Sequence, residues 1–284
     1  MASLKAGADL AFVFCASEAA TPIKCYSPEL MVASVYNGKE FDAAVVQEDL
    51  QSSTNSAKSQ QLLVQHMVQE VTSMMDKLHV LVVGPGLGRC PLVMRAVAEI
   101  IKQAQSKFHL PLVLDADALF LLTQPEYYTL LTDQSWVILT PNAMERKRLL
   151  ADSCEVVLPD TCIILEKGAV DIIRPVNDSV LHSMRCGEQG GLKRSGGIGD
   201  VLAGTTGTLV AWNDILNKKE LASYHDLPLA CWTACCFVKQ ATKKAFDIHK
   251  RSMTAPDVLE ALGPVIDEMT GDATIKSRPS SSLS

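Results

Sequence analysis

The residues best suited to chemistry lie in the run Lys193-Arg194-Ser195-Gly196-Gly197-Ile198-Gly199-Asp200, directly ahead of an uncharged stretch from Val201 to Trp212. Backbone N–H groups in a glycine-rich turn converge on an anion only where no side chains stand in the way. A helix starting there adds free N–H groups and the positive end of its dipole. Lys193 and Arg194 bring positive charge to the same place. Asp200 has two readings: an N-cap worth about 1 kcal/mol, or a carboxylate aimed at a substrate hydroxyl beside a phosphate.

Four further groups have the right residue types. Gly84-Pro85-Gly86-Leu87-Gly88 follows an apolar run but lacks the spacing of a dinucleotide fingerprint, and no Walker A sequence occurs. Asp115 and Asp117 follow the next apolar run; they could serve Mg²⁺ or a ligand hydroxyl, or cap a short helix. Asn142 and Glu145, three apart, read as a capping box as readily as a site. Lys167-Gly168 reads as a hairpin turn.

These groups must be carried by a βα framework. Short apolar runs without strict alternation, His79–Val83, Leu110–Leu114 and Trp136–Leu139, are what a parallel sheet covered on both faces requires. Each ends in a polar or glycine-rich loop, and the carboxyl ends of such strands line the ligand crevice. Upstream, Leu10–Phe14 and Leu30–Val35 read as strands around a helix at Ser17–Lys24, and a helix is expected from Leu92 to Gln105. Gln51–Gln60 reads as a polar surface connection, followed by a helix with Leu62, Leu63, His66 and Met67 near one face. Three strands joined by short turns are expected at Thr161–Leu165, Val170–Ile173 and Ser179–Met184. Helices follow at Gly199–Ile215, Leu227–Phe246 and Ala255–Leu262. One domain over residues 1–276 and a frayed serine-rich tail over 277–284 complete the expected layout.

Composition sets the bounds. The 284 residues are 48% hydrophobic and 20% charged, as in a soluble globular chain. A net charge of −6 argues against general binding to nucleic acid or anionic membranes. The longest apolar stretches, Val201–Trp212 and Leu227–Val238, have 12 residues each and are too short to span a bilayer. Nine scattered cysteines, an odd number, read as thiols of a reducing compartment. Cys231 and Cys235 share a helical face but have no second ligand cluster, so core packing is the expectation there rather than zinc. The start, MASLKAGADLAFVFC, lacks the pattern of a secretory signal.

Taken in order, Gly84-Pro85-Gly86-Leu87-Gly88, Leu114-Asp115-Ala116-Asp117-Ala118-Leu119, Leu139-Thr140-Pro141-Asn142, Lys167-Gly168 and Gly196-Gly197-Ile198-Gly199-Asp200-Val201-Leu202-Ala203-Gly204 resemble the eukaryotic ATP-dependent NAD(P)H-hydrate dehydratases. Gly7-Ala8-Asp9-Leu10 to Ser27-Pro28-Glu29-Leu30 matches the same type, and the resemblance runs from Lys5 to Leu262. It implies a ribokinase-like α/β fold, a three-layer sandwich with a mostly parallel central sheet. The implied reaction is dehydration of (S)-NADHX and (S)-NADPHX to NADH and NADPH, with ATP as cosubstrate and Mg²⁺, giving ADP and phosphate. An NAD(P)H-hydrate epimerase is the implied functional partner, self-association is implied, and the compartment is the mitochondrion or cytoplasm. A ribokinase-like kinase for a vitamin-type alcohol, or a catalytically impaired nucleotide-binding isoform, are the alternatives.

The resemblance assigns residues as well. Asp200 would contact substrate and act as the base for its hydroxyl. Gly86 and the loop Asn142, Ala143, Met144, Glu145, Arg146, Lys147 and Arg148 would contact the hydrated dinucleotide. Lys167, Gly168, Ala169, Val170 and Asp171 would hold ATP, together with Gly190, Gly191, Leu192, Lys193, Arg194, Ser195, Gly196, Gly197, Ile198 and Gly199. No metal ligand is assigned. Against the family pattern, a glycine-rich first strand ahead of Lys5 is missing, the segment Leu149–Asp160 is short, and Ala143, Arg146 and Ala169 replace the usual residues. A missing strand and helix would expose a sheet edge or an uncovered core face, with aggregation and impaired activity as the expected penalties.

Overall fold

Strand residues that point alternately to opposite faces, and are apolar on both, can be satisfied only between two layers of helices. The computed structural model describes residues 1–50, 54–151, 153–177 and 181–271 and shows this arrangement. Six strands form the main sheet in sequential order: β3 (Leu81–Val83), β4 (Leu112–Leu114), β5 (Val137–Leu139), β6 (Cys162–Glu166), β7 (Asp171–Pro175) and β8 (Met184–Cys186). From β3 to β6 they are parallel, and β7 and β8 are antiparallel additions. β1 (Phe12–Ala16) and β2 (Met31–Tyr36) pair in parallel as a separate two-stranded sheet.

The two cores show the alternation directly. Leu112, Leu114, Val137 and Leu139 join a cluster with α4 (Thr54–Thr72), α5 (Pro91–Ser106) and α6 (Asp117–Leu122) on one face. Val113, Ile138 and Ile163 join the opposite cluster, with α8 (Ile198–Lys218), α9 (Leu227–His249) and α10 (Ala255–Thr270). Each fully buried Leu or Ile contributes about 1.5–3 kcal/mol, so the chain is held by these two slabs. Proline at the first position of α5 and a Thr254–Asp257 capping box on α10 fix where those helices start. Helix α1 (Ala2–Lys5) lies against α8, with Ser3 Oγ donating to the Gly204 carbonyl at 3.1 Å.

The mostly parallel sheet, both helical layers and the burial of Cys231 and Cys235 agree with the sequence reading. Several local expectations do not. The connection read at Gln51–Gln60 is helical from Thr54, and residues 51–53 lie outside the described residues. Gln60 is buried and donates to the Ala44 carbonyl, so its polarity is satisfied internally rather than by water. The buried face of α4 is Val64, Met67, Val68 and Val71, while Leu62 and His66 face outward. The strand expected at Ser179–Met184 starts at Met184, because β8 registers Met184 against Ile173; residues 178–180 lie outside the described residues. Helix α10 runs past Leu262 through Gly263 and Pro264 to Thr270. α3 (Gly38–Leu50) was not anticipated.

Candidate active site

Four parallel strands deliver their carboxyl ends to one rim, and the loops that follow them carry the candidate residues. Gly197 starts the rim's main feature. Its φ of +89° gives the turn a left-handed residue directly ahead of α8. The N–H groups of Gly196, Gly197, Gly199 and Asp200 make no hydrogen bond to any described residue, and the first helical bond in the turn is Val201 N to Gly197 O. These amides are therefore available to an anion, as an αL turn leading into a helix permits.

Asp200 sits in the first turn of α8, where Gly197 occupies the N-cap position, so the capping alternative is set aside. Its side chain is exposed by surface area, yet its carboxyl pKa is raised above the usual aspartate value. Partial enclosure is the main cause, the Asp115 carboxylate adds to it, and Lys167 opposes it. An enclosed carboxylate with elevated basicity suits proton abstraction better than an ordinary aspartate does.

Beneath this turn lies a buried ion pair. Asp115, 1% exposed, follows β4; Lys167 follows β6, and its Nζ lies 2.6 Å from Asp115 Oδ1. A methyl group on Gly199 would stand 3.5 Å from Lys167 Nζ and 4.0 Å from Asp115 Oδ2. One ammonium, one buried carboxylate, the glycine turn and Asp200 thus converge. Asp115 does not cap α6, whose N-cap is Ala116 without a side-chain bond. The position of Asp115 also depends on Gly84, which has φ +120°: a Cβ there would lie 1.7 Å from the Asp115 carbonyl oxygen.

Asp117 has a different task. Its two oxygens accept from Gly88 N at 3.1 Å and Arg89 Nε at 2.9 Å, tying the loop after β3 to the loop after β4. Gly86 faces open space, where a Cβ would meet nothing within 4 Å.

The loop after β5 is more committed than the sequence indicated. Asn142 caps α7 (Ala143–Leu149), accepting from Met144 N and Glu145 N, while Glu145 accepts from Asn142 N. The capping-box reading of that pair is met in the structure. Arg146 pairs with Glu166 at 3.1 Å. Ala143, Met144, Lys147 and Arg148 are exposed on α7. Pro141 O accepts from Lys167 N, which brings this loop against the turn that positions Lys167.

On the far side, the turn Lys167-Gly168-Ala169-Val170 is locked by Asp171, which accepts from Gly168 N at 2.8 Å, and by Lys239, which donates to the carbonyls of Gly168 and Ala169. Burial raises the Asp171 pKa, while the Gly168 N–H and Lys239 counter it. Gly191 N donates to Thr242 Oγ1, and Lys193 Nζ reaches the Met253 carbonyl. Gly190 packs against Thr242, while Leu192 and Arg194 are exposed and Ser195 is partly exposed. Ile198 opens α8. The Lys167–Asp115 pairing and the Arg89–Asp117 tie were not foreseen. In each the partners are far apart in sequence, and only the strand order brings them together.

A profile of the family described as NAD(P)H-hydrate dehydratase matches residues 1–264. The chain belongs to that family. The ATP-dependent (S)-NAD(P)H-hydrate dehydratase of Drosophila pseudoobscura pseudoobscura is 34% identical over 279 residues, covering 96% of this chain and 81% of that protein. The enzyme of the same name from Physcomitrium patens is 35% identical over 298 residues, covering 93% and 82%. Among solved structures, a ribokinase-like superfamily protein from Enterococcus faecalis V583 superposes with a TM-score of 0.61 at 19% identity, covering 94% of this chain and 80% of that one. The ADP/ATP-dependent NAD(P)H-hydrate dehydratase of Bacillus subtilis, co-crystallised with ATP/Mg²⁺ and soaked with CoA, gives 0.58 at 18%, covering 93% and 83%. The fold is therefore ribokinase-like.

Proposed function

We propose that this member of the family is an ATP-dependent (S)-NAD(P)H-hydrate dehydratase that returns NADHX and NADPHX to NADH and NADPH, with ADP and phosphate as the other products. The observation that carries this is the convergence of Asp200, the unpaired amides of the Gly196–Gly199 turn and the Lys167–Asp115 pair at one rim. Hydroxide is a poor leaving group and phosphate a good one. The site therefore has to move a phosphoryl group onto the ring hydroxyl and then let the phosphate go as the adjacent ring carbon gives up a proton to form the double bond.

Each part has a role in that sequence. Asp200 takes the hydroxyl proton as the oxygen attacks the terminal phosphorus of ATP and the bond to ADP breaks. The turn amides and the Lys167 ammonium stabilise charge on the transferring oxygens. Asp115 holds Lys167 in place and keeps the basicity of Asp200 elevated. The 167–171 turn and the 190–199 segment are assigned to ATP. Gly86 and the residues from Asn142 to Arg148 are assigned to the dinucleotide, with Ala143, Met144, Lys147 and Arg148 the uncommitted ones. Mg²⁺, implied as the companion of ATP, would be held chiefly by phosphate oxygens and water with at most one or two carboxylates; the carboxylates at this rim are Asp115 and Asp200. The ion's chemistry there would be neutralisation of phosphate charge, with Asp200 left to act as the base. An epimerase supplying the S form is the proposed partner, and the mitochondrion or cytoplasm the proposed compartment. No helix among the described residues is long and apolar enough to cross a membrane.

The direct test supplies the purified chain with Mg²⁺-ATP and (S)-NADHX and follows recovery of NADH absorbance with release of ADP and phosphate. ATP consumption on a small vitamin-type alcohol, with a stable phosphate ester and no NADH recovered, would replace this assignment with a kinase. Binding without turnover of either would make the chain a nucleotide-binding isoform.

A further inference from the structure

Among the described residues, Arg89 is a cation on the β3 side of the rim that the fold immobilises and leaves unspent. Its Nε is fixed by Asp117 Oδ1 at 2.9 Å, and its guanidinium carbon lies 4.0 Å over the Phe120 ring centroid. The side chain nevertheless stays 53% exposed, and its two terminal nitrogens make no hydrogen bond to any described residue. A salt bridge serving stability alone gains little at such exposure. A planar guanidinium clamped through Nε and one face, with its outer edge free, has the geometry that accepts a phosphate through two parallel N–H bonds.

Its place in the sheet decides which phosphate. The turn assigned to ATP follows β6, and the glycine turn ahead of α8 sits over Lys167 and Asp115. Arg89 follows β3, three strands from β6 in the sheet order, which is about 14 Å at the usual strand spacing. Between them lie the ends of β4 and β5, with Asp115 after β4, while beside Arg89 the Gly84–Gly88 loop after β3 leaves the space above Gly86 and Gly88 open. With the nicotinamide hydroxyl at Asp200, a dinucleotide extending towards β3 carries its pyrophosphate, one ribose away from the ring, over this loop. We infer that Arg89, held by Asp117 and Phe120, grips the pyrophosphate of the hydrated dinucleotide and sets the enzyme's preference for dinucleotide over smaller hydrated nicotinamides. This rests on the dehydratase assignment above.

The experiment compares wild type, Arg89→Ala and Arg89→Lys in the NADHX assay, with KM for ATP as internal control and equilibrium binding of NADH measured in parallel by its fluorescence. The expected result for Arg89→Ala is a KM for NADHX raised at least tenfold, with kcat and the KM for ATP little changed. Arg89→Lys should fall between, since lysine keeps charge but not the paired donors. NADH binding should weaken by a similar factor. An unchanged KM for NADHX would overturn the inference. So would parallel losses in both KM values and kcat, which would mark Arg89 as a brace for the loop. If wild type turns over no NADHX the dehydratase assignment fails separately, and NADH binding still decides the role of Arg89: a tenfold loss in Arg89→Ala supports it, and equal affinity rejects it.

Discussion

Gly84→Ala offers the sharpest perturbation short of touching the chemistry. Gly84 has φ +120°, and an added Cβ would lie 1.7 Å from the Asp115 carbonyl oxygen, 2.8 Å from its carbonyl carbon and 2.9 Å from Ala118 N. All three are backbone atoms, so no rotamer change relieves the overlap. The Asp115 main chain must withdraw by about 1 Å or more to restore ordinary contact in a close-packed interior. That shift disturbs the contact of Asp115 with Lys167, 2.6 Å distant. Misplacement of about 1 Å costs on the order of 100-fold in rate, and the strained backbone adds a stability loss of about 1–3 kcal/mol. NADHX turnover should therefore fall about 100-fold, with urea unfolding showing a folded but weakened protein. Gly271→Ala, at the end of α10 and away from the rim, is the matched control: φ is +49°, but nothing lies within 4 Å of the new methyl. It should cost about 1–2 kcal/mol and less than tenfold in rate. Turnover by Gly84→Ala within threefold of wild type would refute the dependence of the site on Asp115.

Other outcomes follow from the same geometry. Asp115→Asn removes a charge that raises the Asp200 pKa and leaves the Lys167 ammonium, which lowers it, unopposed; the acid limb of the kcat/KM profile should move to lower pH, and a limb that stays put would exclude this coupling. The Glu18 carboxylate accepts from its own backbone N–H and from the N–H groups of Gly38 and Lys39, and these bonds depress its pKa from 4.5 to about 2. Its contribution to stability is present above about pH 4.5 and is lost as the pH falls through about 2. Acid titration of Glu18→Gln should be flatter than wild type across that window. Gly207→Ala gains helix propensity but places a methyl 2.6 Å from Val82 Cγ2, where α8 lies on β3. Overpacking should win, lowering stability by about 1 kcal/mol in urea unfolding.

What could be read from the sequence was what local pattern determines. Runs such as Leu112–Leu114 and Val137–Leu139 announce buried parallel strands because both faces are apolar, and the glycines before Asp200 announce an anion turn because few other structures need them. The glycine signal could not say that Asp200 is not a cap; the capping position falls on Gly197 because of its left-handed φ. Asp115 and Asp117 look alike in the sequence, yet one pairs with Lys167 and the other with Gly88 and Arg89. That division depends on which strands are neighbours. Polar residues misled where tertiary bonds satisfy them, as at Gln60, which is buried against the Ala44 carbonyl. The split of β1 and β2 from the main sheet has no local signature.

The most direct measurement is NADHX turnover by Asp200→Asn alongside its ATP affinity. A general base contributes about 10²- to 10⁴-fold, and Asn removes a negative charge from an anion site without removing its amides. The expected result is a loss of at least about 100-fold in kcat, with ATP bound as tightly as by wild type and an unchanged melting temperature. Full turnover in that variant would contradict the account.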